Sequence, residues 1–177
     1  HISPKETMTL AQKLYEGGYI TYMRTDSKVY SEDFINSAKE YIIANYNKDY
    51  INLFVNDLIQ GHDKKENKEK KDNKKTKEKN KNDILNAQEA HEAIRPTNIE
   101  IENLPEDEDI FTTKHRKLYK LIWTNTLESI MAPAIYKQLV CKISGPDNNY
   151  YKYNCENNIF PGWKIVNGVE EEKYFTI

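Results

Sequence analysis

The chain is poor in arginine. Of its 26 Lys and Arg residues only three are arginine, Arg24, Arg95 and Arg116, so lysine is the default cation. Together with abundant Asn and Ile, this is the bias of a very AT-rich coding sequence. Cysteine is scarce too. Cys141 and Cys155 form no C-x-x-C pair, which argues against a structural zinc site and reads as two buried or half-buried thiols on neighbouring strands. No apolar run approaches the roughly 18 residues that span a membrane, and no signal or transit segment is visible. There is no excess of one charge, the net value being −2. Residues 62–83 hold ten Lys against six Asp or Glu, a surplus of four, so the rest of the chain carries −6. Any binding to nucleic acid must then come from a local site or from outside this chain. The first residue is His1, not methionine, which reads as a segment cut from something larger.

The hydrophobic fraction, 38%, is low, but the deficit is local. The run 62–83 contains no apolar residue and cannot bury enough surface to order itself, so it is expected to be a solvated, disordered insertion. A basic tether that loosely grips DNA is the weaker alternative. About 155 residues remain outside it, enough for a real core.

Residues 4–17 read as a helix. Ser3 is the candidate N-cap, Pro4 sits at the first helical position, and Glu6 lies three residues past the cap. Met8, Ala11, Leu14 and Tyr15 make its apolar stripe, and Gly17-Gly18 ends it. Tyr19 to Met23 reads as a short extended segment. A second helix is expected over 31–46, capped by Ser31, with Phe34, Ala38, Tyr41 and Ile42 buried. Tyr50 to Ile59 is ambiguous between a short helix and an arm. Ile84 to Ala93 reads as a short helix or turn stopped by Pro96. The longest helix is expected over 106–131, with Ile110 on its apolar side and Pro133 as its stop. His62, His115 and Arg116 are expected on the surface. From Ile135 the pattern alternates with period two, a Gly-Pro-Asp-Asn-Asn turn intervenes, and alternation resumes to Cys155: a hairpin, then a β-rich tail. Because a hairpin alone is marginal, it is expected to join a larger sheet.

Two stretches carry chemistry. The first is Gly17-Gly18-Tyr19-Ile20-Thr21-Tyr22-Met23-Arg24-Thr25-Asp26-Ser27. In an extended segment Tyr22 and Arg24 share a side. A phenol can attack a phosphodiester if its proton is removed and the developing charge is neutralised, and a guanidinium suits the second task. The second is Glu89-Ala90-His91-Glu92-Ala93-Ile94-Arg95-Pro96-Thr97. Glu92 and Arg95 could form an i, i+3 ion pair, or Arg95 could reach a DNA backbone. Two of the three arginines fall inside these stretches, where a planar fork does what lysine cannot.

Both stretches resemble those of type IA DNA topoisomerases, and Met23 with the Glu92…Arg95 wording points to the bacterial topoisomerase I branch. The resemblance covers residues 4–47 and 86–165. Ile122-Trp123, Met131-Ala132-Pro133-Ala134 and Gly162-Trp163 fit its continuation. It implies that Tyr22 is the nucleophile and that Arg24 holds the phosphate. It implies that His91 lies near the scissile phosphate, with Arg95, Thr25 and Ser27 as further phosphate contacts and Asp26 and Glu92 in support. Bland alternatives remain for Asp26 as a turn residue and for Thr25 and Ser27 as turn caps. The implied activity is relaxation of negatively supercoiled DNA without ATP, through a 5′-phosphotyrosine. The implied partners are a single-stranded DNA segment and the remaining domains of the same polypeptide, in a monomer with no membrane contact. The implied cofactor is Mg²⁺, bound by an acidic Toprim domain absent here. No Asp-x-Asp-x-Glu cluster replaces it, so no metal site and no activity are expected of this segment alone.

The expected class is α+β: a helical, helix-turn-helix (CAP-like) tyrosine domain over 1–132, with the insertion at about 61–84, then the start of a β-rich hinge domain over 133–177. Two alternatives stay open at this point. One is a non-catalytic helix-turn-helix DNA-binding module, against which the −6 balance counts. The other is a tyrosine recombinase or nickase relative, which lacks the extra Arg and His cluster that chemistry would need.

Overall fold

A computed structural model describes residues 2–59, 92–106 and 110–168. The expected insertion at 61–84, His62, His91 and residues 84–91 of the short helix or turn expected before Pro96 lie outside the described residues. Within them the chain is a mixture of helix and sheet. Three helices, α1 (Pro4–Glu16), α2 (Glu32–Asn45) and α3 (Thr113–Ile130), precede one hairpin of β1 (Ile135–Ser144) and β2 (Tyr150–Phe160). Short 3-10 turns at Lys48–Tyr50, Val55–Leu58, Pro146–Asn148 and Gly162–Asn167 join or follow them.

Helix α1 starts where the local signals place it. The Ser3 hydroxyl accepts the Glu6 N–H at 3.2 Å, and Pro4 occupies the first turn. Its buried residues are Leu10, Ala11 and Leu14, whereas Met8 and Tyr15 are exposed. Helix α2 buries Phe34, Ile35, Ala38 and Ile42. Ser31 stands at its N-cap without a side-chain cap bond. Helix α3 begins at Thr113, later than its apolar pattern suggests, and Ile110 is exposed ahead of it. The start is set by Thr112 and His115, whose Nδ1 sits 2.8 Å from the Thr112 hydroxyl and accepts the Thr112 N–H at 3.2 Å. His115 is therefore not a surface residue. It is buried as a cap, and burial, then Lys13, lowers its pKa. Arg116 is half-buried, and its Nη1 donates to the Phe111 carbonyl at 2.7 Å.

The core lies between the three helices. Leu14, Ile35, Ala38, Ile42, Leu127 and Ile130 are fully buried, with Tyr119 and Trp123 nearly so. Both aromatic tips are satisfied by the segment after the second motif: Tyr119 Oη donates to Ile101 O at 2.6 Å and Trp123 Nε1 to Ile99 O at 2.8 Å.

The hairpin is antiparallel, with Leu139 opposite Cys155 and Cys141 opposite Tyr153, so the two thiols sit diagonally on adjacent strands and both are free. Among the described residues β1 and β2 pair only with each other. Leu139, Val140, Ile143, Tyr150, Tyr151, Tyr153 and Ile159 are all exposed. After β2 the chain forms the Gly162–Asn167 turn, and residues 169–177 of the expected β-rich tail lie outside the described residues. Gly162 has φ +53°, and a Cβ there would lie 2.5 Å from the Ala132 carbonyl oxygen. Only glycine allows that approach. No described helix is long and apolar enough to cross a membrane.

Candidate active site around Tyr22

The segment carrying Tyr22 is held from three directions. Helix α1 ends through Gly17 N–H to Lys13 O and Tyr19 N–H to Leu14 O, both 3.0 Å, with Gly18 left-handed at φ +76°. The expected extended segment reduces to one antiparallel bridge between Ile20 and Pro96. There Thr21 N–H donates to Arg95 O at 2.9 Å and Thr97 N–H to Tyr19 O at 3.0 Å. The Thr21 hydroxyl donates to Ala93 O at 2.8 Å and accepts Arg95 N–H at 3.0 Å. At the far end of the loop, Ala93 N–H donates to Val29 O at 2.8 Å. The two motif stretches thus form one unit, with residues 92–97 clasping the loop 20–31 at both ends.

Ile20 and Met23 are buried and anchor the backbone, while Tyr22 (44% exposed) and Arg24 point to solvent on either side of Met23. The Tyr22 ring touches the Tyr15 ring of α1 edge-to-face, with centroids 5.2 Å apart and planes at 69°. Thr25 and Ser27 build the turn that follows. Thr25 Oγ1 accepts Ser27 N–H at 3.1 Å and Ser27 Oγ accepts Val29 N–H at 3.4 Å. Asp26 is exposed.

The three arginines do different things. Arg95 is sequestered: Nε and Nη2 fork onto the Glu92 carboxylate at 3.1 and 2.7 Å, Nη1 donates to Pro96 O at 3.0 Å, and the guanidinium lies 4.1 Å above the Phe34 ring. The i, i+3 ion pair expected of Glu92 and Arg95 is formed. Arg116 serves the Phe111 carbonyl. Arg24 is exposed, two residues along the chain from Tyr22, and has no carboxylate partner among the described residues.

Glu92 does more than pair. Its Oε1 also accepts the Ser31 N–H at the start of α2. Burial pushes its carboxyl pKa up, but hydrogen bonds from Arg95 and Ser31 outweigh that and hold it below the ordinary value. Three contributors were not legible in the chain: Thr21, the Glu92–Ser31 bond and the Tyr15 wall. The first two are contacts between distant segments that no local pattern announces, and Tyr15 reads from the helical stripe as a core residue, although its ring is exposed and meets Tyr22. Among the described residues no group of three His, Cys, Asp or Glu is placed to hold a metal ion. The described residues therefore do not fit a magnesium site.

A family model described as DNA topoisomerase matches residues 1–176. The chain is 38% identical over 176 residues to DNA topoisomerase 1 of Buchnera aphidicola, covering 98% of this chain and 17% of that protein. It is 35% identical over 164 residues to DNA topoisomerase 1 of Escherichia coli, covering 92% of this chain and 16% of that protein. Full-length topoisomerase I of Thermotoga maritima superposes with a TM-score of 0.67 at 28% identity, covering 99% of this chain and 25% of that one. The chain thus spans 17% and 16% of the length of these two curated relatives. A model match along essentially the whole chain, relatives at this identity and a shared fold agree: the chain belongs to the bacterial type IA DNA topoisomerase family, in its topoisomerase I branch.

Proposed function

We propose that this chain is the nucleophile-bearing part of an enzyme that relaxes negatively supercoiled DNA by transient single-strand cleavage, strand passage and religation. The observation that carries the reading is an exposed phenol and an exposed guanidinium with no carboxylate partner among the described residues, on either side of one buried residue, on a loop clasped at both ends. The Tyr22 oxygen attacks a backbone phosphorus of single-stranded DNA and loses its proton. A P–O bond to Tyr22 forms, the P–O3′ bond breaks, and the departing 3′ oxygen takes up a proton. The 3′ hydroxyl later reverses each change. The ester keeps the energy of the broken linkage, so ATP has no role.

Arg24 grips the phosphate with two parallel donors and stabilises charge on its equatorial oxygens. Thr25 and Ser27 each use an oxygen lone pair to accept a backbone N–H, which leaves the hydroxyl hydrogen available to a phosphate oxygen. His91, directly before Glu92 in sequence, is assigned to the scissile phosphate, and Asp26 to support of the loop. Arg95 and Glu92 hold the clasp. In the domain reading, a helical tyrosine domain over 1–132 meets the start of a hinge domain at 133–177. The monomeric whole polypeptide supplies the remaining DNA contacts and the Mg²⁺ site.

The test uses the full-length polypeptide and a single-stranded oligonucleotide. Tyr22→Phe should abolish the covalent protein–DNA adduct on a denaturing gel, and Arg24→Lys, which keeps charge but not the fork, should reduce it. An adduct formed by the phenylalanine variant would sink the reading.

A further inference from the structure

We infer that Tyr15 is a positioning residue for Tyr22, acting through its ring and not its hydroxyl. This rests on the proposed reading of Tyr22 as nucleophile. The backbone around Tyr22 is fixed by buried Ile20 and Met23 and by the hydrogen bonds of Thr21. Its side chain is not fixed in that way: it is 44% exposed and leaves the chain next to a bend at residues 23–24. Among the described residues its one ring contact is Tyr15, at 5.2 Å and 69°, within the range of edge-to-face pairs. An exposed tyrosine has three staggered χ1 wells to choose from. A ring wall on one side favours the well in contact by roughly two- to tenfold.

The backbone that carries the wall is braced. Tyr15 follows fully buried Leu14, and its carbonyl accepts the Gly18 N–H at 2.9 Å, so the helix end and the glycine turn brace each other. The Lys114–Glu6 ion pair ties the opposite end of α1 to α3. Tyr15 itself is 41% exposed and contributes little to the core, which α1 builds from Leu10, Ala11 and Leu14. A half-exposed ring that adds little to the core but meets the one side chain needing orientation is placed for geometry more than for stability. Attack requires the phenol oxygen within about 3–3.5 Å of phosphorus and in line. The wall holds the phenol ready before DNA arrives. Once the phosphotyrosine has formed, the DNA tethers the ring and the wall matters less.

The experiment compares Tyr15→Ala and Tyr15→Phe in the full-length polypeptide, with Tyr22→Phe alongside. Single-turnover cleavage of a single-stranded oligonucleotide, its Kd, and religation of the isolated adduct are measured. Tyr15→Ala should slow cleavage roughly two- to tenfold while leaving Kd within about twofold and religation nearly as fast as in the parent. Tyr15→Phe should restore cleavage. Parent-like cleavage by Tyr15→Ala, a Kd loss as large as its rate loss, or a Tyr15→Phe as slow as Tyr15→Ala would each overturn the inference while the Tyr22→Phe control stays dead. An adduct with Tyr22→Phe would overturn the underlying reading instead.

Discussion

Replacing Glu92 with Gln keeps the side chain's shape and removes its charge. In the parent, Oε1 takes the Arg95 Nε–H and the Ser31 N–H, Oε2 takes the Arg95 Nη2–H, and both partners of the ion pair are only 12% exposed. The glutamine carbonyl can serve one of these positions. Its NH₂ must face either the Arg95 fork or the Ser31 N–H, and Arg95 is left an uncompensated cation. Removing one partner of a buried pair costs about 3–5 kcal/mol. Arg95 retains the Pro96 carbonyl and the Phe34 ring, which favours a lower figure of about 2–3 kcal/mol. In urea that moves the midpoint down by roughly 1 M, readable by the fluorescence of Trp123, which is 2% exposed. The pH dependence supplies a second check. The folded carboxyl pKa lies below the ordinary 4.5, so its stabilisation is fully present above about 4.5 and is lost as pH falls through the lower folded value. The gap between parent and Glu92→Gln should therefore close on acidification. A variant within about 0.5 kcal/mol of the parent at neutral pH, or a gap that persists in acid, would refute the reasoning.

Gly162→Ala should cost about 2–4 kcal/mol, since it combines a left-handed φ with a Cβ 2.5 Å from backbone of Ala132 and Pro133; thermal denaturation should show a fall of roughly 5–10 °C. Burial, then Tyr19, pushes the Tyr119 phenol up to about 12, so an ultraviolet titration should leave it un-ionised after ordinary tyrosines have titrated. Its contribution to stability is present below pH 10 and lost as pH rises towards 12, and Tyr119→Phe should remove that alkaline loss.

Local signals were legible and long-range ones were not. Ser3, Pro4 and Glu6 announce α1, and the Gly-Pro-Asp-Asn-Asn turn announces the hairpin, where Asp147 and Asn148 take left-handed φ of 56° and 58°. The apolar period runs on ahead of α3 through Ile110 and so places its start too early, whereas the cap depends on a histidine where Glu or Gln usually stands. The same substitution hid the burial of His115. Tyr15 reads as core because it follows the helical stripe, yet it lies at the stripe's edge and faces Tyr22. The Tyr22–Arg24 stretch could be singled out from spacing and arginine scarcity. Its fastening could not, since the Thr21–Arg95 bonds join residues 74 positions apart.

That fastening has a consequence for how such a gene can change. The chemistry-bearing loop is set by bonds between residues 19–31 and 92–97, so the length of chain connecting them is nearly irrelevant to its geometry. Closing a longer connection costs only about 0.6 kcal/mol per doubling. A coding sequence prone to gaining lysine and asparagine codons can lengthen the stretch after Ile59 many times over while Tyr22 and Arg24 stay in register with the segment that holds them.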